Sequence, residues 1–106
     1  MSVDATVRVP TPHASRYLQQ VCKHWAHNLA VTFDAGQGRI VFPRDARGAS
    51  WTGDAVVTFV AEPDALHCTI AASEAGQRDG LKGAVARHVD RFAFREGELA
   101  WDWVDG

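Results

Sequence analysis

Ala84-Val85-Ala86-Arg87-His88-Val89-Asp90-Arg91-Phe92-Ala93-Phe94-Arg95-Glu96 is the stretch on which the fold turns. At about 3.6 residues per turn, Leu81, Val85, Val89 and Phe92 share one arc, so the segment reads as an amphipathic helix that buries a single stripe. His88 lies about 40° off the centre of that arc, with Arg95 and then Arg91 further round the same edge. An imidazole and two guanidiniums beside a buried stripe cost desolvation unless something answers them, and that makes this edge the first candidate site.

Working outward, Ser73 is a good cap for the helix, while Gly76, Gly80 and Gly83 weaken its first turns by up to about 1 kcal/mol each relative to alanine. The firm part is predicted from about Gln77 to Arg95, closed by Gly97 in the left-handed C′ position. Glu98 to Trp103 then alternates and reads as a last strand with Leu99, Trp101 and Trp103 inward. At the other end of the chain, Ala5 to Val9 alternates and is closed by Pro10-Thr11-Pro12, the pattern of a short edge strand. Ala14, Tyr17, Leu18, Val21, Cys22, Trp25 and Leu29 repeat at helical spacing, which predicts a helix over residues 14–28 capped by Thr11 or Ser15.

Between the helices lie two hairpins. In the first, residues 29–34 and 39–43 flank Ala35-Gly36-Gln37-Gly38, with Leu29, Val31, Phe33, Ile40 and Phe42 inward. In the second, residues 55–61 and 66–71 flank Glu62-Pro63-Asp64. Arg44 to Asp54 reads as a loop with room for a short strand at residues 49–51. The order is β-α-β-β-β-β-α-β. One apolar stripe per helix and one apolar face per hairpin give an α+β two-layer sandwich, an antiparallel sheet with both helices on one face.

At 106 residues, 46% of them hydrophobic, the chain reads as one domain spanning residues 1–106. Eleven basic and thirteen acidic residues give a net charge of −2, which argues against a general polyanion binder. The outward sheet positions mix signs and lack the apolar wedges of minor-groove readers, so no nucleic acid is expected. No run approaches the roughly 20 apolar residues of a membrane span, and the N-terminus has neither a basic start nor an apolar run. Cys22 and Cys68 sit among apolar neighbours as free thiols, which suits a reducing, cytoplasmic setting. Nucleophile elbows, phosphate loops and paired-cysteine zinc motifs are missing from the sequence, and its carboxylates sit unpaired at element ends, so an enzyme is not indicated.

If the two helices lie side by side, His24 on the first faces His88 on the second, with Tyr17 on the same side. Ringed by Arg91 and Arg95, such a pair could hold a metal ion, iron or zinc, with an anionic ligand, or an anion alone. Cys22 cannot join His24, because two residues apart on a helix they point in nearly opposite directions. The structural alternative, which the residues favour, makes His88 a neutral histidine donating to a carbonyl, with Arg91 and Arg95 paired to Asp90, Glu96 or Glu98. Arg16, Lys23 and His27 form a second, exposed stripe; it offers a dock for an acidic partner, although a basic face more simply keeps a helix solvated.

Three segments, Ser15-Arg16-Tyr17-Leu18-Gln19-Gln20, Cys22-Lys23-His24-Trp25-Ala26-His27 and His88 to Glu96, together resemble the small bacterial family of domains of unknown function numbered 2218. The resemblance spans nearly the whole chain and departs from the family pattern at the glycine-rich start of the second helix. It implies a fold like one half of the TATA-binding protein and, through the proteins such domains accompany, a link to iron or siderophore handling. The partner so implied is a siderophore-interacting or flavin-reductase-like protein. The resulting expectation is a small ligand- or metal-associated accessory domain. The alternative is a non-catalytic interaction or homodimerisation module using the open sheet face, with Trp51 as its anchor.

Overall fold

The computed structural model describes residues 2–106. Its elements follow the expected order: β1 (Val3–Pro10), α1 (Ala14–Trp25), β2 (Ala30–Phe33), β3 (Gln37–Phe42), β4 (Ala55–Glu62), β5 (Ala65–Ala72), α2 (Ala75–Phe92) and β6 (Val104–Asp105). All six strands form one antiparallel sheet in the order β2-β3-β4-β5-β1-β6. Alternation decides which face is covered. Val7 and Val9, Ile40, Val57 and Phe59, and Leu66, Cys68 and Ile70 all point to the helical layer and are buried.

Each helix answers that face with one stripe. On α1 it is Ala14, Tyr17, Leu18, Val21, Cys22 and Trp25, and on α2 it is Leu81, Ala84, Val85 and Val89, all buried. The two helices lie side by side, α1 over the β2–β5 half and α2 over β5 and β1. Gly38 in β3 is needed for this approach, since a Cβ there would sit 2.6 Å from the Cys22 sulfur. Both cysteines are free and buried. Burial pushes the Cys22 thiol up to about 11 and raises that of Cys68 further, so neither is a ready nucleophile at neutral pH. None of the described helices is long and apolar enough to cross a membrane.

Several boundaries differ from expectation. α1 stops at Trp25 rather than residue 28, because the N–H groups of His27 and Asn28 bond three residues back and the chain reverses into β2. Neither Ser15 nor Thr11 caps α1 directly; the Thr11 hydroxyl accepts from the His13 N–H one step ahead of the helix, and Ser15 Oγ donates to the Ala35 carbonyl. α2 begins at Ala75 in spite of its glycines. Gln77 Oε1 there accepts from both the N–H and the hydroxyl of Ser73, at 2.8 and 2.7 Å, which organises the first turn. It ends at Phe92, three residues short of Arg95, and a 3₁₀ turn over Phe94–Glu96 leads to Gly97 at φ +77°.

The predicted strand over 98–103 is absent. Leu99, Trp101 and Trp103 do pack on the core, as their alternation requires, but from irregular chain; only Val104 and Asp105 pair, covering the free side of β1, which is therefore not an edge at that point. Phe33 keeps its inward register yet is 37% exposed, on β2 at the outer edge of the sheet. Residues 49–51 form no strand, and a 3₁₀ turn at Ala46–Gly48 takes the middle of that loop instead.

Candidate functional site

The side-by-side helices bring His24 and His88 together, with ring centroids 5.2 Å apart and planes tilted by 47°. His88 is half-buried, and its Nδ1 lies 2.6 Å from the Ala84 carbonyl, so that nitrogen carries the proton and donates. His24 is exposed and also meets the edge of Phe92 at 6.4 Å. The other members of the predicted set are placed differently. Tyr17 is buried, and its hydroxyl donates to the Glu96 carboxylate rather than bridging the imidazoles. Arg91 and Arg95 are exposed, and neither pairs with Asp90, Glu96 or Glu98; Arg95 lies 5.7 Å over the Phe94 ring, and Asp90 accepts from the Trp101 indole. Among the described residues, no group of three or more His, Cys, Asp or Glu is placed to hold a metal ion. Arg16 and Lys23 lie exposed on α1, and His27 is exposed in the turn that follows it.

What the imidazole pair adjoins is more informative. The His88 ring sits 4.6 Å from Trp25, which in turn meets Phe42 edge-on at 5.2 Å, so rings run without a break from the surface into the protein. Trp25 and Phe42 form one wall of a cavity of about 520 Å³ that is open to solvent and lined further by Leu29, Pro43, Trp51 and Leu81. That volume and its apolar lining with a few polar groups fit a small-molecule site. The Trp25 Nε1–H is buried without an acceptor. Such an orphan donor costs roughly 1–3 kcal/mol, and the fold retains it.

The loop from Arg44 to Asp54 builds the cavity's outer rim and is tied down at several points. The Arg44 N–H donates to Asp54, the Trp51 N–H to the Arg44 carbonyl and the Thr52 N–H to Glu74, at 2.8–3.0 Å. Gln77 Nε2 donates to the Gly53 carbonyl, which also lies 3.1 Å from the Ser73 hydroxyl oxygen. Trp51 is thereby laid inward against α2, 3.1 Å from where a Cβ of Gly76 would be, and does not project as a surface anchor.

This cavity was not anticipated from the sequence, although a signal was present. Gly76, Gly80 and Gly83 follow one another at four- and three-residue spacing and so share a face of α2. Each absent side chain leaves room: at Gly76 for Trp51, at Gly80 for open space on the cavity lining, and at Gly83 for the Arg87 guanidinium, 2.9 Å from the Cβ position. Read for helix propensity, the same glycines register only as weakness. A second depression, about 410 Å³, runs along the first hairpin between Thr32 and Arg39, but Asp34 there is spent on the N–H groups of Gly36 and Gln37.

The model of a protein family described as uncharacterised and conserved in bacteria matches residues 6–104. The chain belongs to that family. The match takes in both helices, the pinned loop and every residue of the cavity named above, so the family's domain includes the whole of this site. The chain is also similar to a protein solved by NMR, PA4090 from Pseudomonas aeruginosa. The two share 23% identity and a TM-score of 0.70, with 98% of this chain and 95% of that chain covered, a likeness of fold. No curated protein matches the chain.

Proposed function

We propose that this family member is a non-catalytic accessory domain that binds a small, largely apolar molecule in the cavity between the C-terminal end of α1, the 43–54 loop and the first turns of α2. The reading is carried by one observation: a cavity of about 520 Å³ walled by Trp25, Phe42 and Trp51, with the buried Trp25 N–H unanswered. The glycine face of α2 supports it, because a helix that sacrifices propensity where side chains would fill the space gains nothing in stability by doing so. The resemblance to family 2218 adds iron or siderophore handling as the setting, with a siderophore-interacting or flavin-reductase-like protein as the neighbour served. Two imidazoles supply too few donors for a metal site of their own; an ion at His24 and His88 takes its remaining ligands from whatever molecule it arrives with.

The test is calorimetric titration with a neutral bicyclic probe, 2-naphthamide, against the native chain and against Gly80→Leu. Saturable binding to the first and none to the second is the expected result. Equal binding to both sinks the assignment.

A second reading has its own support. No described helix covers the outer sheet face, where the register aligns Val41, Val56 and Ala71 in one row and, beyond the row of Arg39, Thr58 and Thr69, leaves Val60 41% exposed. Homodimerisation through that face predicts a doubled mass in light scattering that a Val60→Lys substitution reduces to the monomer.

A further inference from the structure

We infer, resting on the cavity reading above, that its ligand is a planar aromatic anion, held by Arg87 at its charged end. The polar groups on the lining decide the sign. Gln77 Oε1 accepts twice from Ser73 and its Nε2 donates to Gly53, and no aspartate or glutamate lies among the described lining residues. Of the other polar lining residues, Arg87 can only donate and Asn28 can do either; the Trp25 indole N–H, also a donor, lies beneath the lining surface. Trp25 has no acceptor, and no carboxylate of the described residues lies within ion-pair distance of Arg87. Other helical cations nearby are differently placed: Lys82 and Arg78 are both engaged by Asp79 and Asp105.

A molecule that satisfies this set brings acceptors and negative charge, and a guanidinium meets a carboxylate through two parallel bonds. The shape follows from the walls. Trp25 and Phe42 meet at an interplanar angle of 82°, so a flat ring lying against one presents its edge to the other, and both arrangements are favourable between aromatics. Gly83 completes the device, since its missing side chain lets the Arg87 head group fold back along α2 beside the cavity.

The experiment compares 2-naphthoate with its neutral isostere 2-naphthamide on the full chain, by heteronuclear NMR titration that follows the indole N–H signals. Naphthoate should bind at least about tenfold more tightly than naphthamide and shift the Trp25 indole signal, and Arg87→Gln should bring the two affinities together. Arg87 is exposed, so this variant should fold, and the ratio of the two probes on the native chain gives the answer independently of it. Equal affinities for both probes overturn the charge inference and leave the cavity reading in place. No binding of either overturns both.

Discussion

The two ends of the helix pair solve opposite problems. At one end, where α1 begins and α2 finishes, the buried polar groups of Tyr17 and Thr11 are answered: both hydroxyls donate to Glu96, Thr11 accepts from the His13 N–H, and its own N–H donates to the Asp64 carbonyl. That closed end ties the 3₁₀ turn after α2 to the first turn of α1. At the other end, where α1 finishes beside His88 and the 43–54 loop closes on the first turns of α2, side chains are missing where they would fill space and a buried N–H is left over. A chain able to seal one end so completely has kept the other open, and natural structures retain unfilled space and orphan donors chiefly where something else is to bind.

The largest way to break the contrast is to remove the wall of the open end. Trp25→Ala deletes the contacts to Phe42 and His88 and should cost about 4 kcal/mol in chemical denaturation, in the range for buried tryptophan truncation. A loss under about 1 kcal/mol places Trp25 outside the supporting core.

At the closed end, Glu96→Ala strands two hydroxyls on buried residues and should cost about 2 kcal/mol. The same contact has a pH signature. Burial first, and then the neighbouring Glu96 carboxylate, push the Tyr17 phenol from 10.0 up to about 12. A folded value above the unfolded one means that the contribution of this group is intact below pH 10 and is lost as pH rises towards about 12, because the unfolded chain ionises first. Tyr17 is the sole tyrosine, so ultraviolet phenolate absorbance reads it without interference. The midpoint should lie near 12 and fall towards 10 in Glu96→Gln; a native midpoint at 10 removes the lock.

Smaller effects sharpen the picture. Gly80→Ala should raise stability by about 0.5–1 kcal/mol, since a Cβ there meets nothing within 4 Å and the helix gains propensity. Gly76→Ala, with the same intrinsic gain, should show less or none of it, because its Cβ presses on Trp51. Equal gains at both positions mean that the indole has room to move away. Smallest of all, Asp105→Asn should leave the thermal midpoint nearly unchanged and speed amide exchange in β6, because the Asp105 carboxylate is half-exposed and Arg78 and Lys82 keep Asp79 as a partner.

Much of this architecture was legible from periodicity. Two hairpins, two stripes and their order follow from alternation and three-four spacing, and the same geometry brings His24 beside His88. Legibility ended where packing substituted for regular structure. Leu99, Trp101 and Trp103 alternate like a strand because they bury one side, yet β1 accepts only Val104 and Asp105 as partners. Helix ends moved for similar reasons: α2 stops early as Glu96 is drawn to Tyr17 and Thr11, a contact across 79 and 85 residues that no local pattern announces. The cavity was hidden most thoroughly. Its walls come from Trp25, Phe42, Trp51 and Leu81, far apart in sequence, and the open space beside Gly80 reads in the sequence only as a poor helix former.

A chemical-shift map taken while 2-naphthamide is added to the native chain tests the contrast between the ends most directly. The account predicts that the indole N–H signals of Trp25 and Trp51 move together with the backbone amides around Gly80, while those of Thr11, Tyr17 and Glu96 stay still. Shifts centred on the Tyr17–Glu96 end or on the outer sheet face, or none anywhere, contradict it.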